Sequence, residues 1–146
     1  MKAIRLQIPA HADFIDMVRI CLYGIASKMK FSYEDIEDMK VAVSEACNNA
    51  VLHGGLDTGD EVIDVCYETD DDSLKIRIKN NGSGFVYPNA LDMSAPLAVE
   101  QVSDLRVGGL GIYLIQALMD EVAIYTTGNV TEVVMTKYLT AVTEEG

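Results

Sequence analysis

The sequence predicts an α/β fold of the two-layer α+β sandwich kind, a mixed β-sheet with helices packed on one face. Three observations carry this. Polar and apolar residues alternate in short segments. Apolar residues recur at helical spacing in longer ones. The segments follow in the order β-α-α-β-β-loop-α-β-β, which a sheet covered by helices accommodates. In the first strand Ile4, Leu6 and Ile8 alternate with Arg5 and Gln7, and Pro9 closes it. From about Asp13 to Met29 the spacing of Ile15, Val18, Leu22, Ile25 and Met29 predicts a helix. A second helix is expected from Tyr33 to His53. Ser32 with Asp35 three residues on has the form of a capping box, and Gly54-Gly55 stops the helix. Its apolar stripe is Ile36, Met39, Val43, Ala46 and Ala50. Strands follow at about Val62–Glu68 and Leu74–Asn80. In the second, Leu74, Ile76 and Ile78 face one way while Lys75, Arg77 and Lys79 face the other. Residues 81–109 hold most of the loop signals, and a loop this long in a compact domain is usually functional or mobile. A third helix at about Leu110–Met119 precedes strands at Glu121–Thr127 and Val130–Tyr138, joined around Gly128-Asn129. No linker or internal repeat divides the sequence, so residues 1–146 read as a single domain.

Composition narrows the function. The chain has 146 residues, 49% of them hydrophobic, enough for a substantial core. Its net charge of −12 opposes direct contact with nucleic acid and docking on anionic membranes. The acidic residues gather between Asp57 and Asp72, where no Lys or Arg occurs. That stretch reads as a solvated hairpin, or as a surface that steers a basic partner. Cys21, Cys47 and Cys66 fit no zinc spacing, and buried free thiols in a reducing cytoplasm are the simplest account. The alternating N-terminus is no signal peptide, and the longest uncharged run, Val107–Met119, is too short to span a bilayer.

Three places could carry chemistry. Glu45 and Asn49 lie four apart on the second helix, each one position before a core residue, at the margin of its buried stripe. A carboxylate there could take a proton, and the amide oxygen could ligate a hard cation; the other reading is an ordinary polar flank. Asn80 falls on the core face of its strand and must find partners, either backbone groups or a ligand. Asn80-Asn81-Gly82-Ser83-Gly84 follows as a turn whose glycines permit close backbone approach to a ligand. Gly108-Gly109-Leu110-Gly111 leads into the third helix and makes either a tight junction or a phosphate site at the helix N-terminus. No G-x-x-x-x-G-K-[ST] motif is present, which excludes a P-loop protein, and the H-R-D and D-F-G kinase signatures are absent.

A helix E-x-x-x-N, a strand ending in a polar-glycine turn, a long loop and a G-x-G before a helix resemble the N box, first glycine box, ATP lid and second glycine box of the GHKL (Bergerat-fold) ATPases and kinases. More narrowly, "YEDIEDMKVAVSEACNNAVLH" (Tyr33–His53), "GGLGIYLIQALMDEV" (Gly108–Val122) and "MTKYL" (Met135–Leu139) resemble the sigma-B-type anti-sigma factors with serine-kinase activity. The likeness extends from Ile8 to Tyr138. It implies a Bergerat-type ATP-binding fold with a lid at about 81–109, and ATP and Mg²⁺ as cofactors. It implies Glu45 as general base and Asn49 as Mg²⁺ ligand. Gly82 and Gly84 match the first glycine box, and Gly109 and Gly111 the second, near the phosphates. Arg106 is a candidate γ-phosphate contact or a solvent-exposed lid charge. Arg19 is a candidate partner-binding residue or a surface arginine. The partners implied are a sigma factor, an anti-anti-sigma factor whose serine accepts the phosphate, and a second copy of the chain in a homodimer. Two departures stand out. The family's first glycine box begins with Asp, which accepts a hydrogen bond from adenine; Asn80 occupies that position, and its neutral amide lowers the expected adenine affinity. A Thr expected at the nucleotide aligns with Thr131 or with Glu132. The expectation is a cytoplasmic anti-sigma factor and serine kinase. The alternative is a non-catalytic sigma-binding module with weakened nucleotide binding.

Overall fold

A computed structural model describes residues 1–53, 61–80, 109–127 and 130–140. Alternating apolar side chains build the strands β1 (Lys2–Pro9), β2 (Val62–Thr69), β3 (Ser73–Asn80), β4 (Glu121–Thr127) and β5 (Val130–Tyr138). The helices are α1 (Ile15–Lys28), α2 (Tyr33–His53) and α3 (Gly109–Leu118). The first helical stretch differs from its expected form: Ala12–Phe14 is a 3-10 turn, with His11 Nδ1 accepting the Asp13 N–H at 3.1 Å, and the α-helix proper begins at Ile15.

Local chemistry sets the junction between α1 and α2. Lys30 adopts φ 71, a left-handed residue just past the helix, and the Phe31 N–H reaches back to the Ala26 carbonyl at 3.1 Å. This reverse closure satisfies a terminal carbonyl and turns the chain. Ser32 then caps α2, its Oγ accepting the Asp35 N–H at 3.0 Å. The expected capping box is therefore present in this limb. The described contact of the Asp35 carboxylate runs elsewhere, to Lys137 Nζ at 3.9 Å.

The sheet has the order β1-β2-β3-β5-β4. The α/β class with helices over one sheet face is as expected. The mixed sheet is not: every neighbouring pair is antiparallel. β3 and β4 do point the same way, as strands on either side of a helix commonly do, but β5 lies between them. The short connection after β4 returns the chain into that gap, antiparallel to both neighbours.

The core lies between the sheet and the helices. Ile63, Val65, Tyr67, Leu74, Ile76, Ile78, Val133 and Met135 meet Val18, Leu22, Met39, Val43, Ala46, Ile112 and Ile115 there. The predicted α2 stripe is buried throughout. Tyr67 is fully buried, and its hydroxyl donates to the Val18 carbonyl at 2.8 Å, tying β2 to α1. The opposite sheet face carries a charge lattice in which Arg77 sits 2.9 Å from Glu68 and 3.7 Å from Glu132. Much of the described acidic segment is engaged in the same way. Asp64 accepts from Gln7 at 2.7 Å, and Asp70 pairs with the N-terminal amine at 3.5 Å. Among the described residues, no helix is long and apolar enough to cross a membrane.

Candidate functional site

The C-terminal half of α2 and the first turn of α3 meet at one point. Glu45 is half-buried, whereas Asn49 is 3% exposed. The sequence expectation put both at the stripe's margin. α3 covers that margin, and the cover buries Asn49 fully. A Cβ added to Gly111 would lie 2.7 Å from Glu45 Oε1 and 2.9 Å from Asn49 Nδ2. At such distances a side chain would force Glu45 or Asn49 to shift, so glycine lets the helices close with both in place. Asn49 Nδ2 is buried without a hydrogen-bond partner among the described residues. An orphaned amide of this kind costs stability unless a ligand completes it. The fold thus brings Glu45, Asn49 and Gly111 together, with Gly109 two residues earlier in the same first turn of α3.

A second polar group lies on the sheet. Asn80 ends β3 on the helix-facing side and is 4% exposed. Its register partner on β5 is Thr131, 3% exposed on the same face. Glu132 points to the other face, against Arg77. Of the two residues that the sequence left open at this position, Thr131 is the one beside Asn80. These two form a polar end to an otherwise apolar floor.

Arg19 stands apart on the outer side of the helices. Its guanidinium pairs with Asp16 and donates to Ser44 Oγ at 2.9 Å, and Ser44 in turn donates to the Lys40 carbonyl at 2.7 Å. Ser44 immediately precedes Glu45, so Arg19 touches the site-bearing helix on its partly exposed side. Ile20 and Tyr23 are exposed beside it and line a shallow groove with Lys40. Gly82, Gly84 and Arg106 lie outside the described residues, as does nearly all of the expected lid.

The thiols are free, with Cys47 and Cys66 buried and Cys21 partly so. Burial pushes the Cys47 thiol up to about 12, against a smaller opposing effect of the Arg19 charge. The Tyr67 hydroxyl is raised too, first by burial and then by the neighbouring thiols. Neither group is suited to act as a nucleophile. Lys137 escaped the sequence reading. It occupies the helix-facing row of β5 with Thr131, Val133 and Met135, and its ammonium donates to the Leu118 carbonyl at 2.7 Å. A charged residue in an apolar alternating row was the signal available.

A Glu-x-x-x-Asn helix closed against a glycine-led helix, over a sheet with a buried polar end, makes this an α/β domain of the two-layer type. Residues 8–137 match the histidine kinase-like ATPase domains, and the chain belongs to that family. Such a domain uses ATP. Relatives include the serine-protein kinase RsbW of Listeria innocua, 43% identical over 137 residues, which cover 93% of this chain and 87% of that protein. The serine-protein kinase RsbW of Bacillus velezensis is 40% identical over 137 residues, covering 93% of this chain and 85% of that one. Among solved structures, the RsbU and RsbW domains of a Mycobacterium tuberculosis protein superpose with a TM-score of 0.71 at 18% identity, over 100% of this chain and 34% of that one. The SiaB–SiaC complex of Pseudomonas aeruginosa contains a chain that matches with a TM-score of 0.60 at 13% identity, over 92% of this chain and 89% of that one. These two likenesses speak to the fold.

Proposed function

We propose that this chain is an anti-sigma factor of the sigma-B type with serine-kinase activity. It holds a sigma factor away from RNA polymerase, and it transfers the γ-phosphoryl group of ATP to a serine of an anti-anti-sigma protein. The carrying observation is the closure of Gly111 onto Glu45 and Asn49, in a chain 43% identical to a serine-protein kinase.

The roles follow from chemistry. Glu45 is a half-buried carboxylate at the rim of the site, positioned to take the serine proton as the new O–P bond forms and the bond to ADP breaks. Asn49 has an unsatisfied buried amide, and a half-turn of its side chain exchanges oxygen for nitrogen, so it fits a hard cation. When bound, Mg²⁺ neutralises the charge of the phosphates. Gly109 and Gly111 carry no side chain in the first turn of α3, so phosphate oxygens could approach the backbone N–H groups of the helix N-terminus. Asn80 and Thr131 serve as the polar floor for the base. Gly82 and Gly84 shape the turn after it, and Arg106 reaches the γ-phosphate from a lid at about 81–109 of this single domain. Arg19 and its groove meet the protein partners. We assign the protein to the cytoplasm, as a homodimer, acting on transcription without touching nucleic acid.

One observation favours a second reading, a sigma-binding module that no longer phosphorylates. Asn80 is neutral and buried where the family pattern carries Asp. The deciding experiment mixes the protein with Mg-ATP and the antagonist and follows phosphoserine. Transfer is expected, and Glu45→Gln should lower it at least 100-fold while Mg-ATP still binds. No transfer where a control kinase works would leave the binding module.

A further inference from the structure

Lys137 ties together the two helices that build the site, at the end remote from it. Its side chain is 12% exposed, and its ammonium donates to the Leu118 carbonyl at 2.7 Å, the last residue of α3. The same ammonium lies 3.9 Å from Asp35 in the first turn of α2. A cation at a helix C-terminus meets the negative end of the dipole and an unsatisfied carbonyl, so this contact is favourable at a place where α3 has no intrahelical partner to offer. The geometry makes α2 and α3 antiparallel neighbours. Asp35 and Leu118 face each other through Lys137 at one end, and Asn49 and Gly111 meet at the other. On the usual rise per residue, these ends lie about 21 Å apart along α2 (Asp35 to Asn49) and about 10 Å apart along α3 (Gly111 to Leu118), and each helix moves as one body. Sliding one along the other must therefore change both ends together.

We infer that Lys137 is a positioning residue for the nucleotide site. It sets the axial register of α3 on α2, and so holds the Gly111 turn against Glu45 and Asn49. At Gly111 the clearance is less than one methyl group, so a small slip separates or jams the parts. The adjoining turn reinforces the tie. The Asp120 N–H donates to the Thr136 carbonyl at 2.9 Å, and Asp120 Oδ2 accepts the Tyr138 N–H at 2.7 Å. Lys137 thus stands on the stretch of β5 to which the end of α3 is anchored. The inference rests on the reading of Glu45, Asn49 and Gly111 as the nucleotide site.

The test compares Mg-ATP affinity and phosphotransfer kinetics in the full chain with those of Lys137→Met, Lys137→Arg and Asn49→Ala. Lys137→Met keeps the stem and removes the charge. It should weaken Mg-ATP binding about 10-fold and raise KM for ATP, and Lys137→Arg should restore both to within about 3-fold. A purely structural role would lower the melting temperature and the active fraction but leave Kd and KM alone. Should Lys137→Met fail to fold, Lys137→Gln carries the same test, with at least a 3-fold loss expected. A Kd within 2-fold of the parent in the folded variant overturns the inference. Asn49→Ala separates the two claims. If it abolishes binding while the Lys137 variant binds normally, only the positioning role falls. If it leaves binding unchanged, the site reading falls and the inference with it.

Discussion

Gly111 shows how one missing carbon organises the site. In an exposed helix, Gly→Ala stabilises by about 1 kcal/mol. Here the new methyl would stand 2.7 Å from a Glu45 oxygen and 2.9 Å from the Asn49 amide. Glu45 is the more exposed of the two and can swing away, so the fold should survive while the carboxylate is displaced. Gly111→Ala is expected to keep its melting temperature within a few degrees and to lose at least 10-fold in phosphotransfer; unchanged transfer in calorimetrically intact protein would refute the role given to the closure. Glu45, Asn49 and Gly111 were each legible in the sequence as residue types at telling spacings. Their meeting was not, because it depends on how two helices far apart in the chain pack.

At the scale of elements, local signals were strong. α2 runs from Tyr33 to His53, as its cap, stripe and terminal glycines predict. The cap is a single hydrogen bond from the Asp35 N–H to Ser32 Oγ, so Ser32→Ala should destabilise the fold by about 1 kcal/mol, read as a shift in urea midpoint without change in slope. The strands were equally legible, since alternation specifies the faces. The sheet's direction pattern was not. A strand's own residues do not say which neighbour it pairs with, and the insertion of β5 between β3 and β4 is settled by hairpin closure and burial of Val133 and Met135.

Across the whole molecule, burial and charge divide the labour. The acidic balance of −12 is partly absorbed by pairs on the outer sheet face, while the core keeps neutral polar groups that need their protons. Cys47 is raised from 9.0 in the open chain to about 12 by burial, and Tyr67 is raised with it. In the window between those Cys47 values the unfolded chain releases a proton that the folded chain retains. Its contribution is therefore complete below pH 9 and is lost as pH climbs toward 12. Stability should fall by about 1.4 kcal/mol per pH unit in that window from this group alone, and Cys47→Ala should show a shallower decline in urea titrations between pH 9 and 11. A slope identical to the parent's would contradict the burial argument.

The sequence by itself determined the elements, the buried faces, the acidic balance, and the Glu45–Asn49 and glycine patterns. These are properties of spacing along the chain, and spacing is written in sequence. Only the tertiary structure decided that the sheet is antiparallel throughout, that Asn49 is buried under α3, that Thr131 rather than Glu132 stands beside Asn80, and that Lys137 clamps the far end of the helix pair. Each of these depends on contacts between residues distant in sequence, where packing and the need to satisfy buried polar groups choose among arrangements that local pattern leaves equal.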